Sequence, residues 1–191
     1  MKLGAIIMAS GFSRRMGENK LKLNINNKKI FEYTVDLIYK YDFKDKIIVS
    51  NDEEIIRYSQ EKGIRAYKNK NAIVGKSESI KIGISNTQNV DGYMFFVCDQ
   101  PFLSVETIDE IVSKFKKNNK LITYPVYGNK MGTPVIFPTK YKDELLKLSF
   151  DEGGVKLIDK ENSQGVLIER EYEYFDIDDK EDYRIAVKYE K

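Results

Sequence analysis

An apolar run from Leu3 to Ala9 opens into Ser10-Gly11-Phe12-Ser13-Arg14-Arg15-Met16-Gly17-Glu18-Asn19-Lys20, a glycine-containing loop dense in cations. Glycine lets backbone N–H groups approach phosphate oxygens, Arg15 offers a planar fork of donors and Lys20 a point charge. The chemistry this loop suggests is the cradling of a phosphate chain. Its place supports that reading, because open α/β sheets bind ligands beyond the carboxyl ends of their strands. Two familiar templates do not fit: five residues separate Gly11 from Gly17 where a Walker loop has four, and Glu18 stands at its lysine. No G-x-G-x-x-G is present either. Taken alone, the loop is also compatible with an ordinary exposed strand-to-helix connection.

The chain of 191 residues contains no histidine. That excludes Ser-His-Asp and Cys-His nucleophiles and histidine-ligated metals, leaving carboxylates, lysine, arginine, hydroxyls, backbone groups or an oxygen-ligated cation. The one cysteine, Cys98, excludes an internal disulfide and a multi-thiolate zinc site, and points to the cytoplasm. It reads as a small buried hydrophobe, and Met8, Met94 and Met131 as packing residues. Charged residues make up 32% of the chain yet nearly cancel at +2, and the lysines are scattered over helix faces, so no nucleic-acid partner is expected. The Leu3 to Ala9 run is too short for a membrane span and is followed by charge rather than a cleavage site, so neither membrane nor signal peptide is expected.

The elements that must position this chemistry alternate between apolar runs and helical periods, the pattern of an α/β protein with a mostly parallel sheet. Strands are expected at 3–9, 46–50, 65–67, 93–98, 121–127 and 134–137, with further strands near Val166 and Phe175. Helices are expected at 30–41, where Phe31, Val35 and Ile38 form one stripe, at 52–62, after Ser104 as N-cap, at 141–148, and from Asp179 onward. A turn is expected at Gly153-Gly154. Ile80, Ile82 and Ile84 alternate like a strand, while Ser77 and Glu78 suit a helix start, and so few residues leave both open. No repeat or linker divides the chain.

The string from Met8 to Gly17, with Lys20 three residues on, closely resembles the opening signature of the molybdenum cofactor nucleotidyltransferases, L-A-(A/G)-G-x-S-x-R-M-G. Three more patches follow in that family's order: Gly75-Lys76-Ser77-Glu78-Ser79, Asp99-Gln100-Pro101, and Phe175-Asp176-Ile177-Asp178 ahead of Glu181-Asp182. The resemblance covers almost the whole chain. It implies one domain, 1–191, with a Rossmann-like three-layer α/β/α nucleotidyltransferase fold around a mostly parallel central sheet. It further implies that Ala9, Ser10, Gly11, Ser13, Arg15, Lys20, Ser77 and Ser79 surround the nucleotide, and that Arg15, Lys20 and Asp99 are catalytic. Asp99 would hold Mg²⁺ with Asp178 as second ligand and Asp176 in reserve, which suits a hard dication served by one or two carboxylates plus phosphates. From the residues alone, Asp99 also fits a turn, and Asp178 or Asp179 a helix cap.

The reaction so implied is in-line attack of an acceptor phosphate on the α-phosphorus with loss of pyrophosphate; such a phosphate is already ionised at neutral pH and needs no general base. Members with A-A-G in the first motif resemble CTP users and those with G-G-G resemble GTP users. Ala9-Ser10-Gly11 stands nearer the first, as does Gly132-Thr133-Pro134-Val135-Ile136-Phe137 to the cytidylyl pattern with G-H-P. The expectation is therefore CMP transfer from CTP to a molybdopterin-type acceptor, serving a molybdenum hydroxylase apoenzyme. Guanylyl or sugar-phosphate transfer on the same fold, or a nucleotide-binding regulator without turnover, are the alternatives. Two departures lie on the acceptor side: Thr133 replaces a histidine, and Phe150-Asp151-Glu152-Gly153-Gly154-Val155 replaces G-D-x-G-A-R, losing its first glycine and its arginine, with Lys156 as a weaker cation nearby.

Overall fold

Side chains along the first strand, β1 (Leu3–Ala9), are buried on alternating faces, so that Ala5, Ile7 and Ala9 enter one hydrophobic cluster while Ile6 enters another. A strand with two buried faces must lie mid-sheet and be covered on both sides. The computed structural model describes residues 1–13 and 15–189, so Arg14 of the cationic loop lies outside the described residues. After β1 come a small hairpin, β2 (Asn24–Ile25) and β3 (Lys28–Lys29), then α1 (Ile30–Lys40), β4 (Asp45–Ser50), α2 (Glu53–Glu61), β5 (Arg65–Lys68) and α3 (Lys76–Asn86). The second half runs β6 (Gly92–Val97), α4 (Val105–Lys117), β7 (Ile122–Tyr127), β8 (Lys130–Met131), β9 (Val135–Pro138), α5 (Lys142–Leu146), β10 (Ser163–Leu167) and α6 (Lys180–Lys188).

The main sheet has the order β10-β7-β9-β6-β1-β4-β5, with β8 paired to β7. β1 is parallel to β4 and β6, β4 to β5, and β10 to β7, while β9 runs antiparallel between β6 and β7. Ile30, Phe31, Val35 and Ile38 of α1, Ile55 of α2, Ile108 and Phe115 of α4 and Ala186 of α6 cover one face. Ile80 and Ile84 of α3 and Leu145 of α5 cover the other. The three-layer, mostly parallel architecture is as expected. Among the described residues no helix is long and apolar enough to cross a membrane.

The ambiguous isoleucines are helical: Ile80 and Ile84 are buried one turn apart on α3. α3 presses close to β1, since a Cβ on Gly83 would stand 2.4 Å from the Ile6 side chain. The expected strand at Phe175 is absent. That stretch is a 3-10 turn, Glu171–Tyr174, followed by extended chain, because the Ile177 N–H donates to the Asp99 carbonyl at 3.0 Å and straps the segment across the end of β6 instead of along an edge. The 141–148 helix begins as a 3-10 turn, Thr139–Tyr141, before α5, and Gly153-Gly154 leads into another, Gly154–Leu157.

Candidate active site

The loop after β1 folds back on itself through side chains. Ser13 Oγ accepts the Lys20 N–H at 3.1 Å, the Met16 N–H donates to the Ser13 carbonyl at 2.9 Å, and Asn19 accepts the Leu21 N–H at 3.1 Å, capping the 3-10 turn Lys20–Lys22. Met16 and Leu21 are buried and anchor the loop to the core. These ties carry Lys20 beneath the loop, where its side chain is only 11% exposed.

There the Lys20 ammonium donates to Asp99 Oδ2 at 2.8 Å and to Asp178 Oδ1 at 3.0 Å, and Arg15 Nη2 reaches Asp178 Oδ2 at 3.0 Å. Burial alone would lower the lysine pKa, but its pairing with Asp99, then Asp178, outweighs that and raises it. Burial would likewise raise Asp178, yet its bonds to Lys20 and Arg15 hold the carboxyl below the usual aspartate range. Asp179, not Asp178, caps α6: its side chain accepts the Glu181 and Asp182 N–H groups at 2.9 and 3.0 Å. That frees Asp178 to face Lys20. Asp176 lies beside them, and burial, reinforced by the Asp99 charge, pushes its carboxyl up to about 6 despite a bond to Gln100. The Thr133 hydroxyl in turn donates to Gln100 Oε1, so Thr133, Gln100 and Asp176 form a chain along one wall.

Two cavities meet at this cluster. One, about 450 Å³, is lined by Ala9, Ser10, Gly11, Ser13, Lys20 and Ser79 among others, which brings six of the expected nucleotide residues to one place. The other, about 370 Å³, lies towards β9 and the Gly153–Val155 segment, and Gln100, Thr133, Asp176 and Asp178 stand on its wall. Met8, Lys76, Val97 and Asp99 line both. Ser10 Oγ donates to the Val49 carbonyl at 3.1 Å, and Ser79 Oγ accepts from Asn69 Nδ2 at 3.0 Å. Ser77 is not brought to either cavity; it is fully buried, and its hydroxyl has no partner among the described residues. Arg15 is 69% exposed and reaches the site only through Asp178. Cys98 is buried, and burial pushes its thiol well above the usual range, as for an inert packing residue. Lys76, Asn69 and Asp151 were given no role by sequence, although the lysine within Gly75-Lys76-Ser77 was a visible signal.

Asp99 and Asp178 each present an oxygen to one shared cation, the Lys20 ammonium, so the carboxylate pair is built to hold positive charge between its members. Among the described residues no cluster of three or more metal-ligating side chains exists. Two carboxylates with the remaining positions left to phosphates and water match the demands of a Mg²⁺-like ion, which keeps several waters and binds through few protein ligands.

The family model described as the MobA-like NTP transferase domain matches residues 5–165. A probable molybdenum cofactor guanylyltransferase of Natranaerobius thermophilus is 32% identical over 126 residues, 65% of this chain and 60% of that protein. A 2-C-methyl-D-erythritol 4-phosphate cytidylyltransferase of Dictyoglomus thermophilum is 28% identical over 76% of this chain and 63% of its own length. The match thus spans less than two thirds of either relative. Among solved structures, Rv0371c from Mycobacterium tuberculosis superposes with a TM-score of 0.83 at 20% identity, over 99% of each chain, and that protein has also been solved in complex with manganese.

Proposed function

The chain belongs to the MobA-like NTP transferase family, and from that premise we propose that it is a molybdenum cofactor nucleotidyltransferase, moving a nucleoside monophosphate from its triphosphate to a phosphate of a molybdopterin-type acceptor. The observation that carries the reading is the Lys20 ammonium held between Asp99 and Asp178 on the rim where two cavities meet. One cavity is read as the triphosphate side and the other as the acceptor side, with the carboxylate pair at the place of bond exchange.

In this reading an acceptor phosphate oxygen attacks the α-phosphorus, a new P–O bond forms, and the α–β anhydride bond breaks, its electron pair leaving with pyrophosphate. Asp99 and Asp178, with Asp176 in reserve, would hold Mg²⁺, which would supply charge neutralisation on the triphosphate oxygens. Lys20 exchanges its carboxylate partners for the phosphates and stabilises charge on the leaving group, while Arg15 offers a second cation from the surface. The nucleophile is already ionised, so the absence of histidine costs nothing.

CTP is the nucleotide proposed, since Ser10 puts a side chain into the wall of the nucleotide cavity where GTP users of the resembled motif have glycine. GTP is the second reading, favoured by the guanylyltransferase name of the Natranaerobius relative. A cytoplasmic enzyme serving a molybdenum hydroxylase apoenzyme fits either base. The test is pyrophosphate release with Mg²⁺, each of CTP, GTP, ATP and UTP, and molybdopterin with and without molybdenum. Acceptor-dependent release with CTP alone is expected, falling by about 100-fold or more in Asp99→Ala. Release with GTP alone would reassign the base, and nucleotide binding without release would favour a regulator that has lost turnover.

A further inference from the structure

The acceptor-side cavity has an unfavourable charge for the ligand assigned to it. Asp99, Asp176 and Asp178 stand on its wall, and Lys76 is the one cationic residue among the described residues lining it. A phosphate entering that cavity carries about −1.5 to −2 charges at neutral pH and meets three carboxylates. A dication at Asp99 and Asp178 offsets part of this repulsion, and Lys20 faces the nucleotide side. Arg15 reaches Asp178 from the surface, and within the lining itself the counter-charge available is Lys76.

Several features together set this lysine apart from the scattered surface lysines. Its ammonium, like those of Lys70 and Lys116, has no hydrogen-bond or ion-pair partner among the described residues and is free to take a ligand, whereas Lys20 is held between Asp99 and Asp178. It lines both cavities, and with Asp99 it is one of the two charged residues that do. Its stem lies on Gly153, where a Cβ would stand 3.3 Å from Lys76 Cε and 3.7 Å from Nζ, and Gly153 lines the acceptor side alone. Finally, Lys76 is the first residue of α3, at the positive end of the helix dipole, where a cation is locally unfavourable. The neighbouring N–H groups are already occupied, Ser77 donating to the Phe150 carbonyl at 3.1 Å and Glu78 to Gly75 at 3.3 Å, so the side chain is the donor on offer.

We propose that Lys76 binds the acceptor's phosphate and holds its attacking oxygen at the mouth between the two cavities, a specificity contact for phosphorylated acceptors. The proposal rests on the nucleotidyl-transfer reading of the two cavities. Its first test does not use turnover: the ¹⁵N resonance of the Lys76 ammonium, assigned by its loss in Lys76→Met, is followed while methyl phosphate is titrated into the Mg²⁺-loaded protein. A saturable shift is expected, and a resonance that does not move overturns the proposal whether or not the protein turns over. In the transfer assay, Lys76→Met should raise the acceptor KM by about tenfold or more, as for a lost charge-assisted contact, with Lys76→Arg recovering part of it. The nucleotide dissociation constant should stay within about threefold, a shift small beside that of a lost charge-assisted bond. A loss falling on the nucleotide instead assigns Lys76 to the triphosphate and also overturns the proposal. Because the lysine opposes its own helix dipole, Lys76→Met should melt at or above the parent temperature, which separates a lost contact from a damaged fold. A wild type that binds methyl phosphate through Lys76 yet transfers nothing would count against the enzymatic reading alone.

Discussion

Phe150 holds a backbone φ of +52° and is 72% exposed. A non-glycine residue in the left-handed region pays roughly 1–2 kcal/mol for the approach of its Cβ to the following carbonyl. The resembled motif has glycine at this position, so the chain keeps the turn while losing the residue best suited to it. Phe150→Gly should therefore stabilise the protein by up to about 1 kcal/mol, the gain being trimmed by the extra freedom of glycine in the unfolded chain. A denaturant midpoint that falls would show that the ring contributes more than its exposure implies. Thr133, which stands where the motif has histidine, is tied in differently. Its hydroxyl satisfies Gln100 Oε1, and Gln100 is only 5% exposed, so Thr133→Val leaves a buried acceptor unpaired at a cost of about 1–3 kcal/mol. Thr133→Ser should recover most of that loss in the same melt. Both departures were visible in the sequence as missing letters, but what stood in their place required the backbone angle and the partner. The cluster of Lys20, Asp99 and Asp178 was legible because each belongs to a resembled motif. Lys76 was quoted among them and given no role, since only the fold shows that it borders both cavities.

At the scale of elements, the start of α3 is locked to the acceptor-side segment backbone to backbone. Gly75 has φ +137°, and a Cβ there would lie 2.3 Å from both the carbonyl carbon and oxygen of Phe150, while the Ser77 N–H donates to that same carbonyl. No rotamer relieves such a clash, because the obstruction is main chain. Gly75→Ala should cost more than about 2 kcal/mol of stability, combining a glycine-only φ with a forced backbone shift. If the lock couples the two sides, calorimetry on the surviving folded variant should show weakened nucleotide binding, although residue 75 lies on the wall and offers no side chain. Unchanged affinity would mean that the two segments adjust independently. This lock also explains which elements sequence could deliver. β1, β4, β6, α1, α2 and α4 carry their own periodicity and caps and were readable within a residue or so; Ser104 accepts the Thr107 N–H as expected of an N-cap. The alternation of Ile80, Ile82 and Ile84 was misleading because α3 buries only the pair one turn apart and leaves Ile82 half-buried. The β2–β3 hairpin was missed although its two-residue turn, Asn26-Asn27 at φ +49° and +62°, is a local signal, whereas the segment at 175–178 was read as a strand because what holds it, the Ile177 N–H on the Asp99 carbonyl, is a tertiary bond.

For the molecule as a whole, 32 basic and 30 acidic residues nearly cancel at pH 7, so net repulsion is small there, and comparing a variant with its parent at each pH isolates an individual paired group from the repulsion that both build up in acid. Asp36 on α1 ties together β3, α2 and the residue that ends α2. Lys28 of β3 lies 2.7 Å from Oδ2, and Oδ1 accepts from the Tyr58 hydroxyl of α2 at 2.9 Å and pairs with Lys62 at 3.2 Å. Partial burial would raise the carboxyl, but bonds from Lys28, Tyr58 and Lys62 outweigh it and hold its pKa below the ordinary 3.8. A depressed folded-state pKa means that the unfolded chain takes up the proton first. The stabilisation is thus complete above the unfolded value near 4 and is lost as pH falls through the folded one. Asp36→Asn should cost about 1 kcal/mol at pH 7, a figure reduced from that of a buried pair because the lysines remain partly solvated. The difference between the two proteins should shrink below about pH 4, as the parent loses what the variant never had. Chemical denaturation of both from pH 7 down to pH 3 measures it directly. A gap that stays constant across that range would show that Asp36 acts through shape and hydrogen bonding alone, since an uncharged contribution has no reason to titrate.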